Sequence, residues 1–184
     1  MMAVSNAGRR RDGRADLRGA GRFRVGTGEG AEVLLGGLAV HFKLRARQTG
    51  GQLSSTETTL DPHRLVPPHI HAGEDEYTYL AAGTIGVRVA GEEFQAAQGC
   101  YVIKPRGVAH AFWNPADEPA RTIEVIVPAG FEAFFAELAQ ASVTGDTQQI
   151  QQRRADLAVR YRLDYLTELV PELKARHGLE LIGE

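Results

Sequence analysis

Two histidines stand two residues apart in the stretch PPHIHAGEDEYTYLAAG, residues 67 to 83, and three acids follow them. In an extended strand, residues i and i+2 point to the same side, so His69 and His71 can aim their imidazoles at one point. Glu76 can close on that point after the turn at Ala72 and Gly73. A third imidazole comes from GCYVIKPRGVAHAFWN, where Pro105 and Gly107 build a tight turn and present His110 at the start of the next strand. Three neutral imidazoles and one carboxylate hold a first-row divalent cation and leave one or two positions open for substrate. Taken singly, these residues have ordinary roles. A lone histidine at a strand end is usually a hydrogen-bonded structural residue, and an acidic cluster such as Glu74, Asp75 and Glu76 is usually a solvated turn.

The elements that must position these groups are β-strands. LAVHFKLRAR alternates, with Leu38, Val40, Phe42 and Leu44 on one face and His41, Lys43, Arg45 and Arg47 on the other. QTGGQL supplies a glycine turn, and SSTETTL carries the threonines that favour strands, so a hairpin is expected. From residue 77 to 127, short strand-like runs are separated by Gly, Pro, Asn and Asp, the pattern of an antiparallel barrel or sandwich. The period changes after Pro128. Phe131, Phe134, Phe135 and Leu138 fall at i, i+3, i+4 and i+7, the apolar stripe of a helix lying on a core. A second helix follows with Ile150, Leu157, Ala158 and Tyr161 as its buried positions, and Pro171 and Gly178 bracket a short last one.

Composition bounds the rest. The 184 residues, 43% hydrophobic and 24% charged, suit one substantial core. No apolar run reaches the roughly 18 residues that span a bilayer, and the amino terminus lacks the apolar stretch of a secretory signal, so a cytoplasmic protein without a membrane partner is expected. The lone Cys100 excludes an intramolecular disulfide framework and is expected to pack as a small hydrophobe. Residues 1 to 24 carry seven arginines against Asp12 and Asp16, a charge of +5 that leaves −7 on the remainder. This Arg/Gly-rich stretch has too little apolar periodicity to fold and is expected to be a disordered tail. No helix-turn-helix or basic recognition helix is present, so nucleic acid is not an expected partner.

The segment from His69 to Gly83 reads H-x-H-x4-E-x6-G, and that from Gly99 to Asn114 reads G-x5-P-x-G-x2-H-x3-N, with fifteen residues between the two glycines. Together they resemble the two signature motifs of the cupin superfamily. One defining position departs: the glycine that often opens the first motif would fall at position 63, here His63. The lead-in VPPHIH and the PAGFEAFFAEL ending also resemble bacterial quercetin-dioxygenase-like cupins. The resemblance implies an all-β jelly-roll barrel over residues 25 to 128, with a helical carboxyl-terminal cap over 129 to 184. It implies the ligands His69, His71, Glu76 and His110, Glu76 being chosen over Asp75 and Glu74 by its six-residue spacing to Gly83. One divalent transition metal per chain is implied, with Fe, Mn, Ni, Co, Cu and Zn all acceptable to such a donor set.

Alternation from the ligands names the expected pocket wall. Phe112 follows His110 on the ligand side, Thr78 and Leu80 follow Glu76, and His63 shares the parity of His69 and His71. Trp113, Tyr77 and Tyr79 point the other way, toward helix packing or a dimer partner. A homodimer is the default for a sheet with edges to cover. The expected activity is a dioxygenase acting on a small aromatic or enol-bearing molecule with dioxygen, with Glu76 also shuttling a proton. A redox-neutral isomerase, cyclase or decarboxylase, and a non-catalytic metal- or ligand-binding module, are the alternatives.

Overall fold

The computed structural model describes residues 24 to 142 and 146 to 184. The expected tail, apart from Arg24, lies outside the described residues. In chain order the strands of the barrel are β1 (Glu32–Leu34), β2 (Leu38–Leu44), β3 (Ser54–Leu60), β4 (Arg64–His71), β5 (Asp75–Ala82) and β6 (Thr84–Val89). They continue with β7 (Glu92–Ala97), β8 (Tyr101–Lys104), β9 (His110–Trp113) and β10 (Ala120–Val127). Helix α1 (Ala46–Thr49) is a single turn after β2. The helices α2 (Glu132–Ala141), α3 (Thr147–Arg160) and α4 (Val170–His177) follow the barrel, interleaved with two short strands, β11 (Leu163–Tyr165) and β12 (Glu180–Leu181).

Two sheets face each other. One runs β1-β2-β3-β10-β5-β8, the other β11-β4-β9-β6-β7, with β12 joining β4 as a parallel neighbour. Period-2 patterning drives the closure: β2 buries Leu38, Val40 and Phe42 and leaves His41 and Lys43 half-buried. Leu38, Val40, Leu60, Leu80 and Val102 from the first sheet meet Val66, Ile85, Val87 and Phe112 from the second in a shared core. Each such side chain, fully buried, contributes about 1.5–3 kcal/mol relative to exposure.

The helices close one end and one face. In α2 the predicted stripe is realised, with Phe131 and Phe134 buried and Phe135 and Leu138 packed beside them. This stripe meets Ile126 of β10 and Leu157, Ala158 and Leu163, forming a second cluster over the barrel mouth. Asp146 caps α3 by accepting a hydrogen bond from the Gln149 amide at 2.9 Å. Leu157 and Ala158 are buried there as expected, while Ile150 and Tyr161 are half-buried. Helix α4 ends where Gly178 adopts φ 65°, a left-handed conformation that glycine takes at no steric cost. It lays Leu173 on Leu65, Ala111 and Trp113 at the outer face of the second sheet, and Trp113 stacks on His177 with centroids 4.5 Å apart. Tyr79 lies against Tyr101, with ring centroids 4.9 Å apart, and Tyr77 is 40% exposed.

Gly86 pairs with Trp113 across β6 and β9, and a Cβ added there would run into the indole ring. Gly86→Ala is therefore expected to cost about 1–3 kcal/mol through overpacking of that contact. Urea unfolding checks it, and an unchanged midpoint would show that the indole yields freely.

One expectation is corrected here: Cys100 is exposed in the turn before β8, so it does not pack as a small hydrophobe. The carboxyl-terminal part is helical as expected, and it carries in addition β11 and β12, which extend the sheet on the flank of β4.

Candidate metal centre

The four predicted donors converge. His69 and His71 come from β4, Glu76 from β5 and His110 from β9, all four are buried, and their ligand atoms lie within 4.8 Å of one another. Opposite ligands of a six-coordinate cation stand about 4.2 Å apart at bonds near 2.1 Å, so small rotamer shifts bring all four to bonding distance. Backbone carbonyls hold two of the rings in a suitable orientation. Nδ1 of His69 lies 2.7 Å from the Pro67 carbonyl and Nδ1 of His110 lies 3.1 Å from that of Val108. With Nδ1–H donating outward, the lone pair of each Nε2 faces the centre. Nε2 of His110, buried without a hydrogen-bond partner, lies 3.4 Å from Glu76 Oε2, and Nε2 of His71 lies 3.4 Å from Glu76 Oε1, close pairs of lone-pair donors that a cation between them would satisfy. The residues present thus fit a divalent transition metal.

A bulge makes this convergence possible. Val66 pairs with Phe112, yet His69 pairs with His110, so β4 spends three residues where β9 spends two. The extra residue falls at Pro67–Pro68, where a missing N–H makes regular pairing impossible. It switches the inward parity of β4 from even to odd. Leu65, ahead of the bulge, consequently packs outside against Trp113, while His69 and His71, beyond it, point inside.

Residues 56–126 match the profile of the Cupin domain family. The barrel is a cupin domain. TcmJ of Streptomyces glaucescens, a tetracenomycin polyketide synthase protein, is 36% identical over 80 residues, which are 44% of this chain and 52% of that protein. The chain thus aligns with about half the length of that relative. Two solved structures share the cupin fold. A predicted oxalate decarboxylase from Thermotoga maritima is 18% identical at a TM-score of 0.55, covering 58% of this chain and 99% of its own. The cupin domain of Cnp3 from Schizosaccharomyces pombe is 13% identical at 0.52, covering 68% and 84%. At these identities the likeness shows fold alone.

Behind the ligands the barrel carries a buried cation. Lys104 Nζ is 2.9 Å from Glu76 Oε2 and 3.0 Å from Glu124 Oε2, and all three side chains are buried. Glu124 in turn accepts from the Thr78 and Thr122 hydroxyls at 2.8 and 3.3 Å. Burial alone would raise the Glu76 pKa, but the Lys104 ammonium and the two neighbouring imidazoles hold it well below the usual carboxylate value. Lys104 is held above its ordinary value, since Glu124 and Glu76 outweigh its desolvation. Glu76 is therefore a fixed anion. One of its oxygens is tied to Lys104, and the other lies 3.4 Å from His71 Nε2.

Burial, reinforced by the neighbouring imidazoles, keeps His69 neutral, and burial lowers His71 to about 4. In the metal-free protein the unfolded chain therefore binds more protons than the folded one between about pH 6.5 and 4. The stability contributed is full above that window and is lost as the pH falls through it, by ~3 kcal/mol for His71. His69 acts in the same direction, and Glu76 adds a loss below its unfolded value. Thermal unfolding with a chelator present should show a Tm that is level above pH 7 and falls steadily below 6.5. A Tm unchanged down to pH 4.5 would show that the imidazoles are not buried and neutral.

An apolar chamber stands over the ligands. Phe112 lines it as expected, and Phe131, Phe135 and Leu138 roof it. Thr78 and Leu80 face inward as alternation requires but do not border the chamber: Glu124 covers Thr78, and Leu80 is packed in the core between the sheets. His63 is corrected outright. It precedes the bulge, so its parity is that of Leu65, and it sits at φ 56° with its ring 47% exposed, 3.0 Å from Asp117. Asp75 stays apart from the four donors, bound to Arg106 at 2.7 Å, while Glu74 stands on the far side of His71 with Oε2 3.8 Å from its Nδ1.

Sequence reasoning missed Lys104, Glu124 and Tyr165. Lys104 shares the even parity of the inward face of β8, and Glu124 that of β10, so a lysine and a glutamate in apolar runs were the available signal. Tyr165 carried none: β11 reaches the site only because it pairs with β4, setting Tyr165 opposite His69 with ring centroids 6.3 Å apart.

Proposed function

We propose that this cupin is a metal-dependent enzyme acting on a small aromatic or enol-bearing molecule of the polyketide kind, and that it is a dioxygenase. The observation that carries the reading is a buried set of three histidines and one glutamate, of which His69, His71 and Glu76 line an apolar chamber of about 60 Å³. That volume admits a diatomic co-reactant beside the reacting edge of a substrate and leaves no room for bulk water. A divalent metal held there supplies Lewis acidity toward an enolic oxygen and a path for electrons to dioxygen. Phe112 and Phe131 exclude water, and the anionic Glu76, tied on one side to Lys104, would hold the cation with its other oxygen. The partial likeness to a tetracenomycin polyketide synthase protein supports the substrate class.

A second reading, redox-neutral isomerisation, cyclisation or decarboxylation, is favoured by the same enolate-stabilising arrangement, which does not itself require oxygen. Aerobic and anaerobic incubations of metal-reconstituted protein with flavonols and β-diketones separate the two. Oxygen uptake with incorporation of both atoms of labelled dioxygen is expected. Equal turnover under argon would replace the first reading with the second.

A further inference from the structure

The chamber over the ligands is too small for the molecule this site would act on. Its free volume is about 60 Å³, whereas an apolar cavity that takes up benzene has roughly 150 Å³. Only a head group fits, so the body of a ligand must lie elsewhere. A second cavity of about 560 Å³, within the range of about 300–1,000 Å³ usual for small-molecule sites, adjoins it. The two share Leu35, Pro67, Leu138, Tyr165 and Ile182 as a common wall. Tyr165 is the gatepost, being opposite His69 across the β4–β11 pair and lining both spaces.

The outer cavity carries one cation that the fold leaves unbalanced. Arg154 of α3 lines it half-buried, and its Nε and Nη2 donate to the Ser142 hydroxyl at 3.3 and 3.1 Å. No carboxylate among the described residues pairs with it. By contrast Arg64, Arg106, Arg121, Arg160 and Arg176 each have one. A guanidinium offers five donors, and a hydroxyl occupies few of them. On a wall where the other polar side chains, Ser142, Gln151 and Thr167, are uncharged, the remaining donors suit a planar oxyanion, taken in a fork of two parallel bonds.

We propose that the two cavities form one site for an elongated, flat, apolar acid. Its enol or phenol head lies beside the four donors, its body passes Tyr165, and its carboxylate rests on Arg154. The head-group half rests on the function proposed above, and the Arg154 half does not.

Fluorescence titration with 6-hydroxy-2-naphthoic acid and its isosteric carboxamide tests both halves. In the purified full chain the acid is expected to bind about tenfold more tightly than the amide. Arg154→Gln removes that preference and leaves amide affinity and bound metal unchanged, while Arg154→Lys retains part of the preference. Equal affinities for the two probes in the unmodified chain, a preference that survives Arg154→Gln, or no binding of either probe overturns the anion subsite. His69→Ala reports separately on the head group. Weakening of both probes with the acid-to-amide ratio preserved supports it, whereas unchanged affinities overturn the head-group placement, and the metal content of the same variant decides the metal reading separately.

Discussion

Replacing His110 by alanine is expected to abolish stoichiometric metal binding while leaving the barrel folded. The ring enters the centre from β9, the donor from that strand, and its Nε2 lies 3.4 Å from Glu76 Oε2. Removing it takes away a ligand, while Glu76 keeps its 2.9 Å contact with Lys104. Outer-shell substitutions around metal-ligating histidines already cost about 10–100-fold in affinity, and loss of a direct donor exceeds that range. Elemental analysis of the purified variant, with chelator competition to rank affinities, gives the readout, and circular dichroism checks the fold. Metal content equal to that of the unmodified chain would mean that these four residues do not form the site.

Lys104→Met is expected to bring the largest loss of stability of any single substitution near the site. The ammonium lies 2.9 Å from Glu76 and 3.0 Å from Glu124 in a place where it is 2% exposed. Removing one member of such a cluster strands buried carboxylates and costs about 3–5 kcal/mol, a large share of a total stability of about 5–15 kcal/mol. At this chain length that corresponds to a Tm lower by roughly 10 °C. Lys104→Met combined with Glu124→Gln removes one of the stranded charges and should recover about half of the loss. Metal loading should also narrow the gap, because a bound cation again neutralises Glu76. Calorimetry at pH 7 on the single and double variants decides the matter. A drop below about 2 °C would show that the cluster is not charged and buried as its geometry indicates.

The donor set was legible because it depends on local rules. His69 and His71 lie on one side of a strand by period 2, and Pro105 with Gly107 makes the turn that delivers His110, so motif spacing carried both. The helix stripe at Phe131, Phe134, Phe135 and Leu138 was legible for the same reason, with period 3.6 in place of 2. His63 failed because parity counting assumes an unbroken strand, and the bulge at Pro67–Pro68 reverses the count. Cys100 failed because burial of a turn residue depends on what other segments cover it, which its own sequence neighbours do not record.

The order and spacing of residues by themselves determined a β-barrel, its cupin motifs, the four converging donors and the trailing amphipathic helices. Only the tertiary structure decided the surroundings of those donors. Lys104 and Glu124 meet because β8 and β10 both flank β5 in the first sheet, and Tyr165 reaches His69 because a segment ninety-six residues later in the chain pairs with β4. The chamber's small volume and its neighbour's size follow from how α2 and β11 close over the mouth. Periodicity records which face of an element is turned inward, but it holds no information on which other inward faces are waiting there.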